Sequence, residues 1–210
     1  MYKKNEDNLG TAVILAGGDS KRFGSPKALL KLGEKPIIEH IASRLKECFG
    51  EIIIVTNQPE LFRHMKIRLI EDVIKSCKKS SLRGLHAGLY YSSHKSNFII
   101  ACDMPFVNLD LIKYMHAYTE NYHIVVPCVD NYLQPLYAFY SKECTDTIEA
   151  YLRSGKFKIA DLYKEFDVKY IPKEIIYNFD PEEKVFFNIN THHDFTKLQE
   201  NIKHENILEN

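Results

Sequence analysis

The 210-residue chain predicts an α/β fold, a mostly parallel sheet covered by helices on both faces. Three observations predict it. Short apolar runs recur along the chain with helically spaced segments between them, the pattern of crossover connections. The first run ends in a Gly-Gly pair, then a loop, then an amphipathic segment, which makes a strand–loop–helix unit. Finally, that glycine loop, Asn57, Asp72 and Asp103 all fall where apolar runs end, and ligands of parallel sheets sit beyond the carboxyl ends of strands.

The elements follow in order. Ala12 to Leu15 is the first strand, and Gly17-Gly18 ends it. Asp19 to Lys27 contains Ser20, Gly24 and Pro26 and reads as a loop. After Pro36, the residues Ile38, Ile41, Ala42, Leu45 and Phe49 share one helical face. "EIIIVT" is a buried strand, with the first strand as its neighbour. "KIRLIED" alternates and ends in acid, and "SNFIIACD" and "HIVVPC" are further strands. Leu111, Met115 and Tyr118 share a helical face behind Asn108, a good N-cap, with Asp110 in the first turn. "LQPLYAFYSK" is a strand with proline at its entrance, and "KECTDTIEAYLRSG" a helix ending at Gly155. "KVFFNINTHHDFTKL" reads as a strand, a polar turn and a helix capped near Thr191.

Composition narrows the function classes. With 45% hydrophobic and 27% charged residues, no repeat and no low-complexity tract, the chain reads as a single domain over 1–210, with a core of about 11–198 and frayed ends. A formal net charge of +0 excludes a broad basic surface for nucleic acid. Five cysteines without a C-x-x-C pair argue against a disulfide framework or a zinc site and fit a reducing, cytoplasmic location. No apolar stretch approaches the about 20 residues of a membrane span, and the N-terminus lacks a signal-peptide pattern.

The opening loop carries the strongest chemical signal. A strand–glycine–helix unit presents backbone N–H groups to an anion, and Lys21, Arg22 and Lys27 strengthen that bias. A Walker loop is excluded, because Ser25 and Pro26 separate Gly24 from Lys27 and Ala28 follows. A dinucleotide fingerprint is excluded by the spacing of Gly17, Gly18 and Gly24. Asp103 stands directly after a buried run, and Pro105 stops the ladder. It suits either a helix cap or a magnesium ligand, and Asn108 is the better-placed cap. Taken alone, Asn57 and Asp72 suit turns or caps, and a carboxylate at Asp72 can also accept two adjacent donors or bind hydroxyls. Glu71 points to the opposite side of its strand.

"LAGGDSKRFGSPK", Leu15 to Lys27, resembles the signature L-A-G-G-x-S-x-R-x-G-x-x-K of the molybdenum cofactor guanylyltransferases. "CDMPF" resembles their C-D-x-P-[FY] segment, and "LQPLYAFY" and "FFNINTHHDF" resemble their Q-P-L and N-x-N-T segments. The resemblance runs from about Thr11 to Leu198. It implies a Rossmann-like nucleotidyltransferase fold that moves GMP from GTP to molybdopterin-bound molybdenum cofactor with Mg2+, releasing pyrophosphate. By the same resemblance, Leu15, Ala16, Gly17, Gly18, Lys27, Asn57, Asp72, Gly84 and Asp103 contact the nucleotide. Arg22, Lys27 and Asp103 are catalytic, and Asp103 holds the metal. Gln134, Pro135, Asn188 and Asn190 lie on the pterin side, with Asn190 towards the metal. The implied partners are GTP and the pterin cofactor, with transient contacts to other cofactor-biosynthesis proteins, and neither nucleic acid nor membrane.

The chain departs from the family in places. "SSLRGLHAGL" has Ser80 and Ser81 where Gly-Pro is usual, keeps Gly84 for close approach of the nucleotide, and carries Arg83 where a small residue is frequent. A phosphate or solvent is open to Arg83. His192 replaces a common proline, and His192-His193 reads as a surface pair. Lys156 and Lys158 stand where an anionic substrate or solvent would meet them. A cytidylyl relative or a sugar-phosphate acceptor remains the alternative; Gly17-Gly18 favours the guanylyl branch, since the cytidylyl branch usually reads L-A-A-G.

Overall fold

A computed structural model describes residues 8–17, 26–75 and 78–205. The main sheet is built from β1 (Thr11–Leu15), β4 (Glu51–Val55), β5 (Arg68–Ile70), β6 (Ser96–Ala101), β7 (Ile124–Val129), β8 (Tyr132–Leu133), β9 (Tyr137–Ser141) and β10 (Val168–Pro172). A small separate hairpin joins β2 (Lys31–Leu32) to β3 (Lys35–Pro36). The helices are α1 (Ile37–Leu45), α2 (Ser81–Tyr91), α3 (Leu109–His116), α4 (Thr145–Arg153), α5 (Lys173–Phe179) and α6 (His192–Glu205).

The main sheet runs β10-β7-β9-β6-β1-β4-β5, with β8 added to β7. β1 pairs in parallel with β4 and β6, β4 with β5, and β10 with β7. Strand β1 shows why helices must cover both faces. Its Ala12 and Ile14 enter one hydrophobic cluster and Val13 enters the other, the period-two alternation of a strand buried on both sides. The first cluster takes the apolar faces of α1, α3 and α5 and Leu198 of α6, and the second takes those of α2 and α4. Helix α1 buries Ile38, Ile41, Ala42 and Leu45, as the sequence spacing predicts. Asn108 caps α3 by accepting the Leu111 N–H at 2.9 Å. The α4 region ends at Gly155, whose φ of +78° suits a residue without Cβ. Among the described residues no helix is long and apolar enough to cross a membrane.

One expectation is corrected, and two features lie beyond the sequence reading. β9 enters the sheet antiparallel, between β6 and β7. The reversal starts at Asp130-Asn131, both with positive φ (47° and 66°), which is the backbone of a type I′ hairpin turn between β7 and β8. The "KVFF" run is no strand: Lys184–Phe186 is a 3-10 turn, because the Val185 N–H donates to Asp180 Oδ2 at 2.8 Å and not to a neighbouring strand. Its apolar pattern comes from burial of Val185 and Ile189. Finally, β10 and α5 were not foreseen. Of the five residues of β10 only Ile171 is buried, so the segment carries no periodic signal.

Candidate active site

The carboxyl ends of β6, β1, β4 and β5 are tied in a row by backbone bonds that continue past the ladder. Cys102 N–H donates to Leu15 O at 3.1 Å, Ala16 N–H to Val55 O at 2.9 Å, and Thr56 N–H to Ile70 O at 2.9 Å. Four loops are thereby brought to one edge. Between them lies a cleft of about 610 Å³. The sequence-predicted residues Leu15, Ala16, Gly17, Lys27, Asn57, Asp72, Gly84 and Asp103 all line it. Gly18 and Arg22 lie outside the described residues.

At one end of the cleft, Lys27 leads a 3-10 turn that follows Pro26. Its Nζ donates to Asp103 Oδ2 at 3.4 Å and to Asn190 Oδ1 at 3.3 Å. Lys27 and Asp103 are 76 residues apart in sequence and Lys27 and Asn190 are 163 apart, so the contact is made by the fold alone. Asp103 O accepts the Ile189 N–H at 3.0 Å, which docks the Asn188–Thr191 segment beside the end of β6. Asp194 then locks that segment: its Oδ2 accepts the N–H groups of Asn190 at 2.9 Å and Thr191 at 2.7 Å. These bonds, that from the Asn190 N–H first, hold Asp194 below the usual carboxylate range. His192 and His193 are exposed, as the sequence reading has them.

Asp103 and Asn190 thus aim two hard oxygens at one cation. Among the described residues there is no group of three or more His, Cys, Asp or Glu that would form a protein-only metal cage. Magnesium does not require one, since it commonly takes one or two carboxylates and completes its shell with substrate phosphate and water. The donor set fits Mg2+. Burial, with a smaller push from Asp103, drives the Cys102 thiol up to about 12, which keeps it in the protonated, weakly nucleophilic form.

At the other end, Asp72 stands past the end of β5. Asn57 Nδ2 donates to its Oδ2 at 3.0 Å, and Arg83 Nη2 lies 3.0 Å from the same oxygen. Arg83 is therefore paired inside the protein and is only 6% exposed, so it does not stand in solvent. Gly84 lines the cleft, but its close approach is to the protein: a Cβ there would stand 3.2 Å from Leu15 Cδ2. At Gly17 a Cβ would meet nothing within 4 Å among the described residues.

Gln134, Pro135, Asn188 and Asn190 do not line the cleft, and Asn190 reaches it only through its bond to Lys27; Leu136 does line it. Asn188 Nδ2 donates to Phe186 O and Pro135 O accepts the Tyr140 hydroxyl, both at 2.9 Å. Lys156 and Lys158 are exposed away from the cleft, with the Lys156 ammonium 4.5 Å over the Tyr151 ring. The sequence reading missed Thr56, Gln58 and Lys79, and missed Ser80 and Ser81 as lining residues. Each adjoins a predicted residue or opens α2, so strand-end position was the available signal.

Residues 12–168 match the family model described as a MobA-like NTP transferase domain. The chain belongs to that family. As a member of it, the transferase is 40% identical over 189 residues to a probable molybdenum cofactor guanylyltransferase of Pelotomaculum thermopropionicum, covering 90% of this chain and 91% of that one. It is 34% identical over 191 residues to a molybdenum cofactor guanylyltransferase of Syntrophotalea carbinolica, covering 90% of each. A crystal structure of molybdopterin-guanine dinucleotide biosynthesis protein A from Archaeoglobus fulgidus superposes with a TM-score of 0.81 at 28% identity, covering 92% of this chain and 99% of that one. The transferase's mixed sheet is therefore a nucleotidyltransferase fold.

Proposed function

We propose that this chain transfers GMP from GTP to the terminal phosphate of a molybdopterin-type molybdenum cofactor and releases pyrophosphate. The observation that carries this is the meeting of Lys27 and Asp103, with Asn190 bonded behind Lys27, at one end of a cleft whose other end carries Asp72. One end suits phosphates and the other suits a nucleoside, and the curated relatives are named for this reaction.

An acceptor phosphate oxygen attacks the α-phosphorus of GTP. A new P–O bond forms as the bond to the β-phosphate oxygen breaks, and the electron pair leaves with pyrophosphate. Charge grows on the equatorial and leaving oxygens. The Lys27 ammonium is placed to balance it, as are the N–H groups at the end of β1. Arg22 joins them by the opening signature. Bound Mg2+, held by Asp103 with Asn190 beside it, would supply Lewis-acid charge at the phosphates. A phosphate is already a competent nucleophile, so catalysis rests on positioning and electrostatics. Asp72 accepts from the nucleoside.

Isothermal titration with GTP, ATP and CTP, with and without Mg2+, tests this reading. GTP is expected to bind tightest, with Mg2+ strengthening it. Tighter binding of CTP moves the chain to cytidylyl transfer.

A further inference from the structure

Arg83 is a buried cation in the first turn of α2. That place is unfavourable twice over. Burial strips the guanidinium of water, and the N-terminal end of a helix already carries partial positive charge. Asp72 balances it across 3.0 Å, with the two side chains 7% and 10% exposed. Arg83 Nη1 also reaches the Lys78 carbonyl at 3.5 Å. One guanidinium therefore joins the end of β5, the segment before α2 and α2 itself, and all three contribute residues to the cleft wall.

The oxygen it uses decides the consequence. A carboxylate oxygen accepts about two hydrogen bonds. Asp72 Oδ2 already takes the Asn57 hydrogen bond and the Arg83 ion pair, which holds the guanidinium 3.0 Å away, and neither contact uses Oδ1. A two-oxygen fork onto guanine's ring N–H and exocyclic amine would need Oδ2 as well. We propose that Arg83 is a positioning residue that fixes Asp72 so that only Oδ1 is presented to the base. Selection then rests on the guanine ring N–H and not on its exocyclic amine. Inosine shares the ring N–H, whereas adenine has an acceptor there. This inference rests on the GTP reading above.

The test is steady-state pyrophosphate release with GTP, ITP and ATP, using wild type, Arg83→Met, Arg83→Lys and Asp72→Asn. Wild type is expected to use ITP within about threefold of GTP in kcat/KM and to discriminate strongly against ATP. Arg83→Met is expected to raise KM for GTP about tenfold, with little change in kcat. It should also lower the GTP:ATP preference about tenfold, the scale of one hydrogen bond to a charged group. Arg83→Lys keeps the charge and should recover part of the preference. A purely structural role would lower the melting temperature and leave the nucleotide ratios unchanged, and that result overturns the positioning role. Rejection of ITP by far more than tenfold overturns the single-oxygen readout. Preference of the wild type for CTP overturns the GTP reading instead. In that case the Arg83–Asp72 coupling is read from the double variant Arg83→Met/Asp72→Asn on CTP. Non-additive losses sustain the positioning role and additive losses reject it.

Discussion

Replacing Gly88 with alanine would drive a methyl group into the centre of the sheet. The new Cβ would stand 2.6 Å from Val13 Cγ1, 3.1 Å from Cγ2 and 3.3 Å from Cβ. Carbon atoms rest about 3.5–4.0 Å apart, so the shortfall is about 1 Å. Neither side yields easily. Val13 is wholly buried on β1, which is bonded to β4 on one side and β6 on the other, and its branched side chain is stiff at χ1. Helix α2 must therefore lift. Overpacking of this kind costs up to about 3 kcal/mol, and alanine returns about 1 kcal/mol in helix propensity, leaving a net loss of about 2 kcal/mol. For a chain of this size that lowers the melting temperature by about 4–8 °C. Because α2 also carries Ser81 and Gly84 to the cleft and Arg83 to Asp72, GTP affinity should fall with stability. Two other glycines serve as controls. Gly84→Ala meets the movable end of Leu15 at 3.2 Å, and Gly17→Ala meets nothing within 4 Å among the described residues. The expected order of thermal stability is Gly17→Ala above Gly84→Ala above Gly88→Ala. A Gly88→Ala protein as stable as wild type would refute the close packing of α2 on β1.

Further outcomes follow from single groups. Lys27→Ala should lower pyrophosphate release by a hundredfold or more, the scale of losing one transition-state charge stabiliser, while thermal unfolding stays near wild type. Asn108→Ala removes the α3 cap and the bond to Phe179 O at 2.9 Å, and should cost about 1–2 kcal/mol in urea denaturation. His86 is wholly buried where α2 meets α4, with Glu149 3.5 Å away and Arg153 and Asp146 close by. Burial lowers its pKa from the ordinary 6.5, against an opposing pull from Glu149. The unfolded chain therefore binds the proton first, and the stability from neutral His86 is intact above pH 6.5 and lost as pH falls below it. His86→Leu should flatten the fall in stability between pH 7.5 and 5.5, measured by denaturant midpoints; an unchanged slope would reject the assignment.

The parts of the fold that were legible in the sequence have local causes. β1, β4 and β6 are continuous apolar runs because both their faces are buried, and α1 shows its spacing because one face is. Asp103 was legible because a strand end followed by proline leaves a carboxylate at the sheet edge. Other features depend on residues that meet only after folding. The antiparallel insertion of β9 hinges on the backbone of Asp130 and Asn131, two unremarkable polar residues in sequence. The burial of Arg83 is invisible until β5 and α2 are side by side, and a lone arginine in a helix ordinarily reads as surface. That Gly84 packs against Leu15 as well as lining the cleft is likewise invisible, because a sequence shows that a glycine is needed but not what approaches it.

The central claim is that the cleft between Lys27–Asp103–Asn190 and Asp72 is where GMP is transferred. The most direct measurement is pyrophosphate release by the wild type and Asp103→Asn with a molybdopterin-type acceptor, GTP or CTP, across a Mg2+ titration. The account predicts release with GTP that needs both acceptor and Mg2+, little release with CTP, and near-complete loss in Asp103→Asn at every Mg2+ concentration. Faster turnover of CTP than GTP, or an Asp103→Asn protein that turns over like wild type at sub-millimolar Mg2+, would contradict it.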